Sequence, residues 1–415
     1  MKKLITLIAA LIISSTLTAQ TNCDCKADLK FVYDQMQTMS SYKSQIKGEE
    51  VGKFNAKFHQ ISGRVTSDMD KLKCYEEINK LMNLVKDKHA SFSEVRPDFS
   101  IEDALDSSFV KEYRASESFK NFPTVSIDLG EIRNRLENKS INDVEGIYSV
   151  GNSMKIGVYR IASSDSLVGV MLSTKIGIWA PGQIFMYLKE TDLTNRYDIT
   201  AYGQVHKNLL TYKSHLVTNG ILMRNVVKAS LQKNHVHINK EERETYKLHS
   251  LNKNVQYVWL NSFSRFGNAD KRDALVKEIK MELKADNLIV DLRNNGGGAS
   301  KISLPIVKAI RKSGVKVFVL TNFASGSNAE QTTVRLKRDK TTVHLGQTTY
   351  GAIAYGVNYG YSYTSPSGLF TFTPTDMRFN HYLKYEETGV VPDVSLSPDS
   401  DWIEQTIDYI NKQSL

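Results

Sequence analysis

Residues 287–298 read NLIVDLRNNGGG, and this stretch decides the fold of the C-terminal part of the chain. The continuous apolar run is typical of a parallel strand that is covered on both faces. Three glycines follow at the end of this strand, where they let the backbone approach a ligand closely and leave N–H groups free. Such a turn fits either a phosphate cradle or an oxyanion hole. It has neither the GxGxxG spacing nor the GK[ST] ending of the common nucleotide-binding loops.

The segments on either side of this stretch alternate between strand and helix. Alternation of this kind predicts an α/β domain, which we place at residues 246–415. Its predicted elements are a strand at 255–263, an amphipathic helix at 268–286, a helix at 300–314 that ends at Gly314, and a second buried strand at 315–322.

Two further parts precede this domain. Within residues 20–98, apolar side chains recur at helical spacing, as in Leu29, Val32, Tyr33 and Met36, which predicts a helical bundle. Residues 99–245 contain short β-rich segments separated by Gly, Asn, Asp and Ser, which predicts an antiparallel β module, either a barrel or a sandwich. The predicted fold class is therefore multidomain, with α and β parts.

The chain begins MKKLITLIAALIISSTLTAQ, which is typical of a secretory signal peptide. Two lysines precede an apolar stretch, and Leu17-Thr18-Ala19 resembles a cleavage site, so residues 1–19 are predicted to be removed. The prediction is export to the periplasm or beyond the cell. A retained membrane anchor is the alternative, although the apolar stretch is short for a span. No later run predicts a membrane span.

Charge and cysteine content narrow the class of partner. The formal net charge is +9, or +7 without Lys2 and Lys3, and no basic block is interleaved with aromatic residues. Nucleic acid is therefore not an expected partner. Export permits a disulfide, in which Cys74 pairs with either Cys23 or Cys25. No histidines and cysteines are spaced as a zinc site, so no metal or cofactor is predicted.

A second motif that could carry catalytic residues is TNFASGSNAE, residues 321–330. It places two serines after an apolar strand and before a predicted helix. A serine at such a turn is well placed as a nucleophile, because the helix N-terminus favours developing negative charge. Ser327 and Glu330 also have the spacing of a capping box, so a helix cap is the competing interpretation.

Four motifs occur in one order along residues 250–400: DLRNNGGG, SNAE, Thr349-Tyr350-Gly351 and GVVPD at 389–393. Together they resemble the C-terminal processing and tricorn-type serine peptidase family. The resemblance implies a catalytic domain of the crotonase/Clp-protease-like type. It also implies that Ser327, not Ser325, is the nucleophile.

The same resemblance assigns roles to the glycine-rich turn and its neighbours. The backbone N–H groups of Gly297 and Asn328 would form the oxyanion hole, with Gly298 as a neighbouring alternative. Glu330 and Gly351 are further candidates for lining the site. No metal is implied.

The general base is expected far from the serine in sequence. One branch of the family uses a lysine directly after the T-x-G glycine, where this chain has Ala352. The tricorn-like branch uses histidine and glutamate, which here correspond to His89, in KDKHAS, and Glu386, in KYEETGVVPD. Glu387 is the adjacent alternative, and for His89 the competing interpretation is a cation at a helix C-terminus. Other candidates with weaker support are Lys337, Lys340, His235, His237, His344 and His381.

The predicted function is that of an exported serine endopeptidase, acting through an acyl-enzyme on extended polypeptides and without a cofactor. The family commonly carries a PDZ module, for which residues 99–245 show no convincing pattern. This part is expected to be a substrate-gathering wall or a spacer. The alternative function is a secreted binding protein on an inactive peptidase scaffold. Acyl-CoA chemistry fits poorly with export and with the serine motif.

Overall fold

The structure, a computed structural model, describes residues 24–161, 164–231, 234–237 and 244–413. The predicted signal peptide and Cys23 lie outside these residues. The α-helices of the described residues are α1 Cys25–Thr38, α2 Ser40–Gln45, α3 Glu49–Ser62, α4 Lys71–Met82, α5 Ser107–Ala115, α6 Glu117–Lys120, α7 Leu129–Leu136, α8 Ala269–Glu282, α9 Ser300–Ser313, α10 Asn328–Leu336 and α11 Trp402–Gln413.

The strands are short and concentrated in the middle of the chain. In order they are β1 Ser91–Glu94, β2 Gly146–Val150, β3 Met154–Arg160, β4 Ser166–Thr174, β5 Ile184–Glu190, β6 Arg196–Tyr202, β7 Leu209–Leu216, β8 Ile221–Met223, β9 Val226–Lys228, β10 Leu248–Ser250, β11 Val255–Trp259, β12 Asn287–Asp291, β13 Lys316–Thr321, β14 Val343–Gly346, β15 Tyr355–Gly356, β16 Tyr363–Thr364, β17 Phe370–Thr373, β18 Met377–Arg378 and β19 Val394–Ser395.

The C-terminal part is built on a six-stranded sheet with the order β10-β11-β12-β13-β14-β19. The pairings from β11 to β19 are parallel, and β10 is antiparallel to β11. Leu288 and Val290 of β12 pack with α8 and α9, whereas Ile289 packs with α11. The buried strand predicted at NLIVDL is therefore covered on both faces, as its apolar run indicated.

The middle of the chain forms one large antiparallel sheet. Its order is β16-β17-β1-β7-β6-β5-β4-β3-β2-β9-β8, and the described pairings do not join β16 to β8. The sheet draws strands from all three predicted parts, because β1 pairs with β17 and places Phe92 opposite Phe372. Burying each of these phenylalanines contributes about 1.5–3 kcal/mol, which favours this crossing of the predicted boundaries.

Residues 99–145 differ from the β-rich prediction, because the first strand of this part begins at Gly146. Before it lie α5, α6 and α7, whose first N–H groups donate to the N-cap side chains of Asp106, Ser116 and Asp128. These caps favour helix over strand. Ile132 and Leu136 of α7 pack on one face of the large sheet.

The helices α1–α4 pack on the other face of the large sheet, where they share its main core cluster. Cys25 of α1 and Cys74 of α4 form a disulfide, with Cα atoms 5.7 Å apart and 49 positions between them in sequence. Of the two pairings that the sequence allows, the structure has Cys25 with Cys74. Among the described residues, no helix combines the length and apolar character needed to cross a bilayer.

The disulfide should stabilise the region that carries His89. Replacing Cys74 by serine removes a cross-link that closes a loop of 49 positions, so we expect the unfolding free energy to fall by about 2–4 kcal/mol. Denaturant unfolding under oxidising conditions measures this change. Cys23→Ser is the matched control and should leave the midpoint unchanged. Equal midpoints for the two variants would contradict the expected stabilisation.

Candidate active site

Ser327 lies between β13 and α10, at the carboxyl end of a central parallel strand. Its backbone has φ 54° and ψ −121°, which is strained for a residue with a side chain. The Ser327 N–H donates to the Ala352 carbonyl and to Glu330 Oε2, both at 2.9 Å. Ala352, where the lysine branch has its base, therefore contributes its backbone here. These bonds hold the turn in its strained conformation.

Ser325, the competing serine, is fully buried. Its hydroxyl donates to the Leu292 carbonyl at 2.7 Å and accepts from the Asn322 N–H at 3.0 Å. This hydroxyl therefore fixes the turn to the end of β12. Of the two serines, only Ser327 presents its hydroxyl to a histidine.

Glu330 is a buried carboxylate that joins two of the sequence motifs. Its oxygens accept hydrogen bonds from the Thr349 hydroxyl at 2.5 Å, the Gly351 N–H at 2.7 Å and the Ala352 N–H at 3.0 Å, besides the Ser327 N–H. Burial raises its pKa, which the hydrogen bonds and Lys88 oppose. The capping-box glutamate thus anchors the T-x-G segment to the serine turn.

The glycine-rich turn packs directly against Ser327. A Cβ added to Gly297, whose φ is +99°, would lie 2.5 Å from Ser327 Cβ and 2.9 Å from the Asn328 nitrogen, so only glycine fits there. The Gly297 N–H donates to Asn295 Oδ1 at 2.8 Å. Among the described residues, the Asn328 and Gly298 N–H groups have no hydrogen-bond partner. The structure therefore brings the predicted oxyanion residues beside Ser327 but engages Gly297 elsewhere.

Arg293 and Asp291 of the same motif have a structural role. Both are buried, and the guanidinium pairs with the carboxylate at 2.6 Å between Nη2 and Oδ2. Arg293 also donates to the His235 carbonyl at 2.9 Å. This buried, hydrogen-bonded ion pair fixes the end of β12, where the glycine-rich turn begins.

His89 lies in the loop between α4 and β1, and its Nε2 is 3.2 Å from Ser327 Oγ. The Asp87 side chain holds this loop by accepting from the N–H groups of His89 and Ala90, both at 3.0 Å. Burial lowers the pKa of His89 and outweighs the opposing effect of Asp87. The imidazole is therefore neutral at pH 7, the form that accepts a proton.

Glu386 lies beside His89 without a hydrogen bond to it. Its carboxylate accepts from the N–H groups of Lys88 at 2.8 Å, Ile353 at 2.9 Å and Ala354 at 2.8 Å. One oxygen of Glu386, one of Asp87 and one ring nitrogen of His89 lie within 4.8 Å of one another. His89 Nδ1 has no partner among the described residues. Burial raises the pKa of Glu386 to about 7.

The alternative acid, Glu387, is directed elsewhere. Its backbone has φ +67°, and its carboxylate pairs with Lys213 at 2.8 Å. The sharp turn between the two glutamates thus sends their side chains to different partners. Glu386 is the one that lies beside His89.

Lys88 is a residue of the site that the sequence reasoning did not single out. Its ammonium donates to the carbonyls of Tyr350 at 2.7 Å and Ser214 at 3.0 Å, and lies 3.8 Å from the centre of the Tyr350 ring. Burial lowers its pKa to about 7. Arg196 donates to the same two carbonyls. The only sign of this role in the sequence was that Lys88 directly precedes His89.

The remaining candidates from the sequence have other partners. The Lys337 ammonium pairs with Asp393 at 2.6 Å. His344 Nε2 contacts the Thr321 hydroxyl at 2.7 Å, and His237 Nδ1 contacts Asn294 Oδ1 at 2.9 Å. The His381 ring lies tilted by 45° against the Tyr382 ring, with the ring centres 3.9 Å apart. In the described part of the chain, the histidine that hydrogen-bonds to Ser327 Oγ is His89 and not one of these.

Two cavities meet at His89 and Ser327. One, of about 510 Å³, extends under the large sheet and is lined by Phe185, Tyr212 and His215 among others. The other, of about 820 Å³, extends past Gly296–Gly298 towards Phe266 and Phe379. A polypeptide could thus extend on both sides of the serine.

Comparison with known proteins gives a family match. Residues 254–317 and 308–396 match the model of Peptidase family S41. This confirms the predicted resemblance to the C-terminal processing peptidases and the prediction of a serine-type peptidase, whereas the Ser-His-Glu branch is outside what the match addresses. No curated protein matches the chain.

Several solved structures are similar at low sequence identity. The photosystem II D1 C-terminal processing protease is 14% identical, with 90% of this chain and 94% of that chain covered and a TM-score of 0.38. The tricorn protease is 12% identical, with 94% and 37% covered and a TM-score of 0.40. Mature CPAF is 10% identical, with 94% and 96% covered and a TM-score of 0.43.

Proposed function

We propose that the protein is an exported serine endopeptidase, because residues 254–317 and 308–396 match the model of Peptidase family S41, which supports a serine-type peptidase. The observation that carries the proposal is the 3.2 Å contact between His89 Nε2 and Ser327 Oγ, which joins residues 238 positions apart. A nucleophile and a base within hydrogen-bond reach are the minimum for acyl transfer.

Neutral His89 takes the proton from Ser327 Oγ as this oxygen attacks the carbonyl carbon of the scissile peptide bond. The histidine then returns the proton to the leaving amine, and the acyl-enzyme ester remains on Ser327. A water molecule, deprotonated by the same imidazole, attacks the ester carbonyl. The bond from the acyl carbon to Ser327 Oγ then breaks, the imidazolium returns its proton to Oγ, and the second product leaves as a carboxylic acid. The lowered pKa of His89 supports the base role, because the imidazole is neutral when the substrate arrives.

The oxyanion of the tetrahedral intermediate is stabilised by backbone N–H groups. The Asn328 N–H is the first donor, since it begins α10 and has no partner among the described residues. Gly297 is the second donor when its N–H exchanges the neutral Asn295 oxygen for the charged oxyanion. Gly298 is the alternative for this second position.

Glu386 is the third member of the proposed triad. It stabilises the imidazolium that forms on His89 through its charge, since one of its oxygens lies within 4.8 Å of a ring nitrogen of His89. Three backbone N–H donors already hold the carboxylate in place, so it does not need to move. Asp87 has a positioning role, because it fixes the backbone of the His89 loop.

The substrate is proposed to be an extended polypeptide. Cavities on both sides of Ser327 suit chain that continues in both directions, which favours cleavage within a polypeptide. An extended segment could add to a strand near the site. The disulfide between Cys25 and Cys74 supports the proposed export, because oxidising compartments preserve such bonds.

The alternative, a binding protein on an inactive scaffold, would need no contact between His89 and Ser327. The contact between His89 and Ser327 and the strained serine turn are both arrangements that a scaffold alone does not require. These features favour the peptidase.

Removal of the Ser327 hydroxyl or of the His89 imidazole should abolish turnover. We expect Ser327→Ala and His89→Ala to lower kcat/KM on unfolded casein by at least about 10⁴-fold, since nucleophile and base act as a unit. Lys337→Ala is the control and should retain activity, because Lys337 pairs with Asp393. Wild-type activity in Ser327→Ala would sink the assignment, and loss in Lys337→Ala with activity in His89→Ala would favour a lysine base.

The pH dependence of kcat/KM should follow the ionisation of Glu386. Its raised pKa, about 7, means that it is protonated below pH 7 and cannot stabilise the imidazolium. We therefore expect kcat/KM to rise with pH through an apparent pKa near 7, while His89, whose pKa is lowered, is already neutral.

Glu386→Gln keeps the shape of the side chain and removes its ionisation. We expect roughly 10²–10⁴-fold lower kcat/KM and an acidic limb shifted to lower pH, because it is then set by His89, whose pKa burial lowers. Glu387→Gln is the matched control, because its carboxylate pairs with Lys213. An unchanged limb near pH 7 in Glu386→Gln would contradict the role given to this residue.

A further inference from the structure

The 510 Å³ cavity beside Ser327 is lined by several residues that have no role in the proposed mechanism. Its walls come from the large sheet, with Phe185 of β5, Ala201 of β6 and Tyr212 of β7. His89 and Ser327 lie at one end. A side chain of a polypeptide bound at Ser327 could therefore enter this cavity, which is apolar over most of its lining.

His215 is the unusual member of this lining. It lies near the end of β7 and is only 6% exposed. Both of its ring nitrogens lack a hydrogen-bond partner among the described residues. The Leu222 backbone is near one nitrogen but not in hydrogen-bond geometry. Since buried polar groups in proteins are nearly always bonded, this ring is available to a ligand.

Three aromatic rings surround His215. The ring centres of Tyr350, Tyr212 and Phe323 lie 6.0, 6.1 and 6.5 Å from it, each approaching edge to face. Such an arrangement accommodates a further aromatic ring, because aromatic pairs prefer these edge and offset contacts. The polar centre of the cavity is thus enclosed by an apolar, aromatic wall.

The charges near His215 disfavour a cationic ligand group. Burial, with help from Lys88 and Arg196, lowers the pKa of His215 to about 3, so its ring offers one donor and one acceptor at neutral pH. Lys88 and Arg196 are bonded to backbone carbonyls, and the Glu386 and Glu330 carboxylates are bonded to N–H groups. Among the described residues, no carboxylate lines this cavity to pair with a cationic side chain, whereas Lys88 and the exposed Arg224 both line it.

We propose that this cavity is the specificity pocket for a tyrosine side chain flanking the scissile bond. The phenol ring lies among the rings of Tyr212, Phe323 and Tyr350, and its hydroxyl bonds to His215. Tyrosine has an aromatic ring that fits the walls of the cavity. It also has a hydroxyl that can serve as the hydrogen-bond partner that His215 lacks. The proposal rests on the peptidase function and adds its substrate class.

A site that hydrogen-bonds a substrate hydroxyl discriminates against the analogue without it. Matched peptides with Tyr, Phe, Leu or Lys at each position flanking the cleaved bond provide the test, with cleavage sites mapped by mass spectrometry. For the wild type we expect a Tyr-to-Phe ratio in kcat/KM of roughly five- to tenfold, the effect of one neutral hydrogen bond. Lys should be cleaved least.

Variants separate His215 from the rest of the pocket. His215→Phe should bring the Tyr-to-Phe ratio to about one, and His215→Gln, which can still bond a hydroxyl, should keep a ratio above that of His215→Phe. His249→Phe is the matched control: this histidine lies on β10, away from the cavity, and its change should leave the ratio as in the wild type. Thermal unfolding of each variant checks that it is folded.

The outcomes distinguish the two proposals. A wild type that cleaves no peptide defeats the peptidase function itself. A wild type that cleaves without a preference for Tyr over Phe overturns the pocket assignment alone, whether or not the variants fold. A ratio that His215→Phe leaves unchanged also overturns it.

Discussion

A single buried carboxylate joins the two halves of the site. Glu386 accepts hydrogen bonds from the Lys88 N–H, which belongs to the loop after the helical bundle, and from Ile353 and Ala354, which follow the T-x-G segment. This bridge and the bond from the Lys88 ammonium to the Tyr350 carbonyl hold the His89 loop against the T-x-G segment. Glu330 does the same within the α/β part, between the serine turn and Gly351. Both carboxylates act through backbone N–H groups, so the distance from His89 to Ser327 is set by rigid main chain.

Much of the α/β part could be predicted from its sequence. The predicted strand at 315–322 and helix at 300–314 lie within one residue of β13 and α9, because continuous apolar runs and a terminal Gly314 are strong local signals. The large sheet could not be predicted in the same way. Its joining of β1 to β17 depends on pairing between residues about 280 positions apart, and the helices of residues 99–145 depend on weak cap signals.

The candidate site likewise has some residues that could be predicted from the sequence and others that could not. Motifs that lie at strand ends, around Asn294 and Ser327, were visible because turns need particular residues. The roles of Lys88, Arg196 and His215 were not, because each depends on burial by distant strands of the large sheet. Sequence also gave no sign that the Gly297 N–H is engaged by Asn295. Such competition between a side-chain acceptor and a ligand is decided by local geometry alone.

The central proposal is that Ser327 is a nucleophile activated by His89. Labelling with a serine-directed phosphonate, followed by peptide mapping, tests this claim most directly, because the reagent reacts with activated serines and needs no knowledge of the substrate. We expect one modified residue, Ser327, with labelling lost in His89→Ala and kept in Lys337→Ala. Absence of labelling in the folded wild type, or labelling at Ser325 instead, would contradict it.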